Sequence, residues 1–247
     1  MSRVLPSITT ISRSGSTWRE KLRELRELPI AKVALFVTGL NAEERDELFA
    51  RLREIKRKRA FTIPFVHAVS AMSEFEYAQL INDFGTQAFN LHPTNEYPLE
   101  HPLSVQLRKR IFIENAKPWS ALTFEDVEGF GGVCLDMAHL EEARRNDPEV
   151  YKRTLTIATR CGIGANHLSA ISQGEQLPDR PWTQFQSHMS DGGGDLDYLF
   201  RFPANFFARY CAIELENPLS EQMVYAKRIG NILGTMSVID ALSREAA

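Results

Sequence analysis

The amino-acid sequence predicts an α/β fold: a single (β/α)8 barrel spanning residues 1–247, with an extended loop after the seventh strand. Three observations predict it. Short apolar runs alternate strictly with segments of helical periodicity, and strict βα alternation implies a parallel sheet. Eight such units fit into 247 residues, the size at which a parallel sheet closes on itself. No GxGxxG follows the first run, which weakens the open dinucleotide-binding alternative.

Each element follows from local signals. PSITTIS (Pro6 to Ser12) supplies the first strand and TWREKLRELREL the first helix. VALFVT (Val33 to Thr38) is the second strand. The helix after it opens on Asn41 with Glu44 three residues on, a reciprocal capping pattern. AFTIPFVHA (Ala60 to Ala68) is the third strand, and SEFEYAQLINDFG is a helix stopped by Gly85. QAFNLH (Gln87 to His92), IFIEN (Ile111 to Asn115) and GVCLD (Gly132 to Asp136) are the next three strands, with short helices at PLSVQLRKR and TFEDVEGF. HLEEARRNDPEVYKRTLTIATR is largely helical, and Pro148 marks a break or restart. IGANHLSAI (Ile163 to Ile171) is the seventh strand and CAIELE (Cys211 to Glu216) the eighth. DLDYLFRFPANFFARY reads as helix interrupted at Pro203. The last helix starts near Ser220, with Ile229, Ile232, Leu233 and Met236 on one face.

Composition narrows the function classes. A formal charge of −3 gives no basic footprint for nucleic acid. The basic run Arg51 to Arg59 reads as a solvated helix face. Cys134, Cys161 and Cys211 lack metal-type pairing and suit buried thiols in a reducing compartment. No apolar run matches a membrane span, and the N-terminus lacks a signal-peptide core. The expectation is a cytoplasmic protein without a membrane or nucleic-acid partner.

In a barrel, chemistry sits at the C-terminal ends of the strands. His67 closes the third strand, His92 the fourth and Glu114 the fifth. Asp136 closes the sixth, with His139 one turn later, and His167 closes the seventh. His188 lies in the long loop, and Glu214 ends the eighth strand. A lone histidine at a strand end is ordinarily a hydrogen-bonded structural residue. Five of six histidines and three carboxylates on one rim point instead to a cation. Imidazole with carboxylate suits Zn2+, Mn2+, Fe2+ or Co2+. Glu114 is then a charge whose desolvation a cation repays.

IFIENA, GVCLDMAHLEEA, NHLSAI, HMSDGGGDLDYL and CAIELEN resemble, in order, the xylose isomerase-like TIM-barrel superfamily, from about residue 60 onward. That superfamily contains sugar-phosphate isomerases and epimerases, such as tagatose 3-epimerase relatives, and endonuclease IV. The DxxH after VCLD is the most specific piece and the Gly-rich HMSDGGGD the next. The resemblance implies that Glu114, Asp136, His167 and Glu214 hold one divalent metal, with Mg2+ joining the candidate ions. It gives Glu114 and Glu214 the acid/base roles of proton transfer through an enediolate. It places His139 and His188 on substrate oxygens, and His67 and His92 on the extra histidines of the endonuclease IV branch, here expected to contact substrate. The implied substrate is a small sugar or keto-polyol.

The sequence also departs from these patterns. Endonuclease IV carries an Asp two residues before the loop histidine, where this chain has Gln186. Arg180 is only a loose match to the loop arginine of the epimerases, and Glu216 competes with Glu214 as a ligand because alternation puts both on one side. A zinc phosphodiesterase of the endonuclease IV type and a metal-free lyase or non-enzymatic barrel therefore stand beside the isomerase reading. The loop from Ser172 to Gly194 carries Trp182 and Phe185. It fits either a lid that excludes water, with Trp182 against substrate, or a contact between copies of the chain in a homo-oligomer.

Overall fold

The computed structural model describes residues 4–13, 15–117, 119–171 and 186–245, without the side chains of Gln186 and residues 236–245. Its strands are β1 (Val4–Leu5), β2 (Ser7–Thr9), β3 (Ala34–Phe36), β4 (Phe65–His67), β5 (Ala88–Leu91), β6 (Ile111–Glu114), β7 (Gly132–Asp136), β8 (Ile163–Leu168), β9 (Ala170–Ile171), β10 (Gln186–Ser187) and β11 (Tyr210–Ile213). The main sheet runs β1-β11-β8-β7-β6-β5-β4-β3-β2, and every neighbouring pair is parallel.

The two ends of that order, β1 and β2, belong to one extended run. Pro6 separates them, because it has no N–H to donate to a ladder. Val4 and Leu5 pair with Cys211 and Ala212, while Ser7, Ile8 and Thr9 pair with Ala34, Leu35 and Phe36. One run thus joins the last strand to the second, and the ring closes as a barrel of eight staves. The first strand expected at Pro6 to Ser12 is displaced: pairing begins at Val4 and ends at Thr9. Stave three is shorter than its apolar run for a related reason. Before Pro64 the run makes only an isolated bridge, Thr62 to Lys32, and the continuous strand starts after Pro64, whose carbonyl accepts from Gln87 and Ala88.

Helices follow the staves: α1 (Trp18–Glu27), α2 (Ala42–Lys58), α3 (Glu74–Phe84), α4 (Val105–Arg108), α5 (Phe124–Val127), α6 (Met137–Asn146), α7 (Pro148–Cys161) and α8 (Leu219–Glu245). Asn41 and Glu44 form the expected capping box on α2, and Gly85 ends α3 in the left-handed conformation at φ 72°. Asp147 caps α7, whose first residue is Pro148. The segment after the Gly-rich turn is not α-helical. It forms two 3-10 helices, Gly194–Arg201 and Ala204–Phe206, and Pro203 separates them by denying the chain a donor. Ile229, Ile232 and Leu233 are buried as the periodicity of α8 requires, and the Met236 side chain lies outside the described residues. None of the described helices is long and apolar enough to cross a membrane.

Strand alternation sorts the residues into two environments. Outward positions such as Leu35, Val66, Phe89, Ile113, Leu135 and Ile213 join the layer packed under the helices. Inward positions Leu5, Ala34, Phe36, Phe65, Ala88, Cys134, Ala165 and Ala212, with Phe112 and Tyr210, form a separate apolar plug. Small side chains face large ones, as filling a barrel of this width requires.

Gly164 shows how tight the plug is. The β7–β8 register shifts between Val133 and Cys134, leaving Gly164 as the extra residue opposite that step. A methyl group there would overlap the ring of Phe112. Gly164→Ala should cost about 1–3 kcal/mol, the usual range for overpacking, read as a lower urea midpoint with an unchanged slope.

Candidate metal centre

The plug determines what lies above it. Two residues on from Phe65, Ala88, Phe112, Cys134, Ala165 and Ala212 come His67, Asn90, Glu114, Asp136, His167 and Glu214. The period of two therefore turns all six inward, one level nearer the C-terminal rim. His67, Asn90, Glu114, Asp136 and His167 are buried, while the Glu214 side chain keeps 18% of its exposure.

Glu114 is the centre of this layer. Its Oε2 accepts from Asn90 Nδ2 at 2.7 Å and lies 3.2 Å from His167 Nδ1. The same oxygen is 3.8 Å from His67 Nε2 and 4.0 Å from His92 Nε2. His167 Nδ1 is also 3.5 Å from Glu214 Oε2, to which Ser169 Oγ donates at 3.4 Å. The opposite edge of the His167 ring meets Asn90, with Nε2 3.2 Å from Oδ1. Phe36 packs against both His67 and His167, with ring centroids 5.3 and 5.0 Å away.

Asp136 has two occupations. Oδ1 caps α6 by accepting from the amides of Ala138 and His139 at 2.8 and 2.9 Å. Oδ2 is buried without a hydrogen-bond donor, 3.8 Å from His139 Nε2. Asn115 clamps the Asp136 backbone, donating to its carbonyl and accepting from its amide.

The charges are unbalanced. Among the described residues no lysine or arginine pairs with Glu114, Asp136 or Glu214. Burial opposes ionisation of Glu114, but His167 beside it prevails and holds its carboxyl well below the usual range. Burial pushes Glu214 up to about 8, and the charges on Asp136 and Glu114 add to the rise. Burial alone would lower His167, and Cys134 and Glu114 outweigh it to raise its pKa well above the ordinary value. Burial also holds the Cys134 thiol neutral, up to about 11, so Glu114 is the effective partner near neutral pH. His67 is driven well below the imidazole range by burial and stays neutral.

A divalent cation suits this donor set. His167 Nδ1, Glu114 Oε2 and Glu214 Oε2 converge, and neither His167 Nδ1 nor Asp136 Oδ2 has a hydrogen-bond partner. Mixed imidazole and carboxylate ligands match the divalent ions named from the sequence. The candidate ligand atoms within 4.8 Å of one another form overlapping triads: His67–His167–Glu214, His67–His92–Glu114, Glu114–Cys134–His167 and Glu114–Asp136–His139. Among the described residues the four ligands suggested by the sequence are thus linked through Glu114 and His167 rather than gathered in one shell.

The remaining residues take separate places. His92 is partly exposed beside Tyr97, in a cleft of about 210 Å3 that also reaches His67, Thr38 and Leu91. His139 stands on the first turn of α6 facing Asp136. His188 Nδ1 lies 3.2 Å from the Glu214 carbonyl, which sets it against the end of stave eight. Glu216 is not at the centre. Its Oε2 accepts from the amides of Arg13 and Gly15, at 2.8 and 3.1 Å. Trp182, Phe185 and Arg180 lie outside the described residues, as does the loop over 172–185. The loop's return is described: β10 pairs antiparallel with β9, and Gly192 and Gly193 make a tight left-handed turn with φ 77° and 79°.

Asn90, Asn115 and Cys134 were missed by sequence reasoning. Asn90 carried a signal, since asparagine is depleted in strands and this one interrupts an apolar run. Cys134 carried none, because a free cysteine behaves as a small hydrophobe.

No family model and no curated protein matches the chain. Among solved structures it is similar to the probable 3-DHS dehydratase AsbF from Bacillus anthracis, at 14% identity and a TM-score of 0.46 over 97% of this chain and 99% of that one. It is also similar to a xylose isomerase domain protein from Alicyclobacillus acidocaldarius subsp. acidocaldarius, at 12% identity and a TM-score of 0.47, covering 95% and 99%. A third is the apo form of 3-keto-D-glucoside 4-epimerase, YcjR, from E. coli, at 8% identity and a TM-score of 0.44, covering 94% and 99%. At these identities the likeness concerns the fold.

Proton competition gives a test of the centre. Glu214 carries its proton below pH 8 in the ion-free protein. An incoming cation must displace it, together with the Nδ1 proton of the positive His167, so affinity should rise with pH at least up to about 8. The expected slope is about tenfold per pH unit for each proton displaced. Calorimetric Co2+ titrations in buffers of different ionisation enthalpy check this, and a pH-independent affinity would show that Glu214 is not displaced.

Proposed function

We propose that the chain is a divalent-metal-dependent isomerase or epimerase of small sugars or keto-polyols, acting by proton transfer next to a carbonyl through an enediolate. The observation that carries this reading is the convergence of His167 Nδ1, Glu114 Oε2 and Glu214 Oε2 at the bottom of a closed rim. Glu114, Asp136, His167 and Glu214 would hold the ion. When bound, it would polarise the substrate carbonyl and its neighbouring hydroxyl.

The protein's own groups supply the rest. Two carboxyls held in opposite protonation states are a recurrent acid–base arrangement. In the ion-free protein Glu114 is ionised and Glu214 holds a proton up to about pH 8. Glu214 is the more exposed of the two and stands nearer the mouth. With its proton displaced by the ion, Glu214 would take a proton from the carbon beside the carbonyl and, now the acid, return it to the enediolate, and Glu114 would serve as the second acid/base carboxyl. His139 and His188 flank the approach and donate to sugar oxygens, while His67 and His92 line the adjoining cleft. Trp182 belongs to this proposal as a residue of the covering loop.

One observation favours a second reading. His67, His92 and Glu114 form a triad of their own, which would suit another ion and the in-line phosphodiester chemistry of multi-metal sites. Metal content per chain separates the two readings: about one ion for proton transfer, two or three for the phosphodiesterase.

Asp136→Asn should lower metal content to a small fraction of wild type while keeping a cooperative unfolding transition, because its amide oxygen can still cap α6. Asp136→Ala should lose the metal and a further ~1 kcal/mol with the cap. Full metal occupancy in either variant rejects the ligand set. The chemistry is tested by incubating Mn2+-loaded protein with a panel of ketohexoses in D2O. The expected result is deuterium at the carbon beside the carbonyl, reduced about 10²–10⁴-fold in Glu214→Gln. No exchange with any ketose in a metal-replete protein rejects the reading.

A further inference from the structure

The amide of Asn90 spans two residues of the centre. Its Nδ2 lies 2.7 Å from Glu114 Oε2 and its Oδ1 lies 3.2 Å from His167 Nε2. All three residues are buried, so water does not offer alternative partners. The chemistry permits one orientation. A carboxylate only accepts, so the NH2 group must face Glu114; turning the amide over would set oxygen against oxygen. The carbonyl oxygen is thereby aimed at His167, and it only accepts as well. His167 Nε2 must therefore carry a hydrogen.

From these contacts we infer that Asn90 is a positioning residue that keeps a hydrogen on His167 Nε2, so that Nδ1 is the nitrogen that faces Glu114 and Glu214 and gives up its proton to an incoming ion. The inference rests on the proposed function only for its consequence, which is that a metal would bind through Nδ1. The geometry agrees from the other side of the ring. Nδ1 lies 3.2 and 3.5 Å from the two carboxylate oxygens and has no hydrogen-bond partner. Asn90 also fixes Glu114, because its donation holds Oε2, the oxygen nearest His167, His67 and His92. A single amide thus sets which nitrogen of one candidate ligand is free to bind and the rotamer of another. Outer-shell contacts of this type typically contribute 10–100-fold to metal affinity.

The test uses the whole chain labelled with 15N-histidine. In the metal-free protein His167 should give a protected Nε2–H signal, present in wild type and in Asn90→Asp, whose carboxylate still accepts, and absent in Asn90→Ala. With Zn2+ added, long-range 1H–15N correlations should show Nδ1 as the metal-bound nitrogen in wild type. Asn90→Ala should bind Zn2+ 10–100-fold more weakly, with the Nδ1 pattern lost or mixed. Zn2+ on Nε2 in wild type overturns the inference, as does a folded Asn90→Ala with unchanged affinity and an unchanged Nδ1 pattern. If Asn90→Ala does not fold, wild type and Asn90→Asp decide: the Nε2–H signal in both supports the inference, and its absence from wild type overturns it. If wild type binds no Zn2+, the functional reading fails, and the metal-free Nε2–H signal still decides the role of Asn90.

Discussion

Closure of the ring through the run Val4 to Thr9 is the constraint on which everything else depends. In an open sheet, Glu114 and Glu214 would sit on strands far apart along one face. In the closed ring, staves five, seven and eight turn their inward residues toward a common axis, and both carboxylates meet the same nitrogen of His167. The first run achieves this because Pro6 divides it. Val4 and Leu5 serve stave eight, and Ser7 to Thr9 serve stave two. The gap in hydrogen bonding at that division is covered by Gln222 of α8, which accepts from the Ser7 amide at 2.7 Å and donates to its carbonyl at 3.2 Å.

Above the apolar plug, the protein carries a layer that acts against its stability. An unpaired buried charge has an effective penalty on the order of several kcal/mol, and three carboxylates share this layer without a lysine or arginine partner among the described residues. The protein limits the cost by keeping a proton on Glu214 and a positive His167 between the two glutamates. Two other buried carboxylates, Glu76 and Glu141, are paired directly with arginine. Arg45 meets Glu76 at 2.6 Å, and Glu141 is surrounded by Arg144, Arg145 and Arg201. The contrast separates these ion pairs from a layer whose imidazole and carboxylate donors suit a cation.

How much of this could be read in the sequence depends on how far each feature is local. The staves were legible because apolar period and capping chemistry are local: Asn41 with Glu44, Gly85 after Phe84, and Pro148 each mark their own boundary. The rim was legible because histidine and carboxylate at the end of an apolar run are conspicuous. Register was not. Where stave one begins depends on pairing of Val4 and Leu5 with residues over 200 positions away, and where it ends on pairing of Ser7 to Thr9 with Ala34 to Phe36, which no local pattern encodes. The 3-10 geometry after Gly194 was missed because its periodicity resembles that of an α-helix over so short a span. Asn90 was passed over because its role exists only when staves four, five and seven converge.

The end of stave eight shows why alternation fails where it was extended too far. Glu214 and Glu216 would share a side if the strand continued, but pairing stops at Ile213. Beyond it the backbone is held by other partners. Glu214 N donates to the Leu168 carbonyl at 3.1 Å, and the Leu215 carbonyl accepts from Lys21 Nζ at 2.8 Å and from Gln222 Nε2 at 3.1 Å. Lys21 also donates to Thr9 Oγ1 at 2.7 Å, and burial pushes its pKa down to about 7, against the pull of Glu216 and Glu24. Released from the pleat, Glu216 turns to the amides of Arg13 and Gly15 and ties down the loop after the first stave. The two glutamates therefore divide the work. Glu216 fastens stave eight to stave one from outside the centre, and that fastening holds Glu214 at the one point on the rim where its carboxyl can face His167.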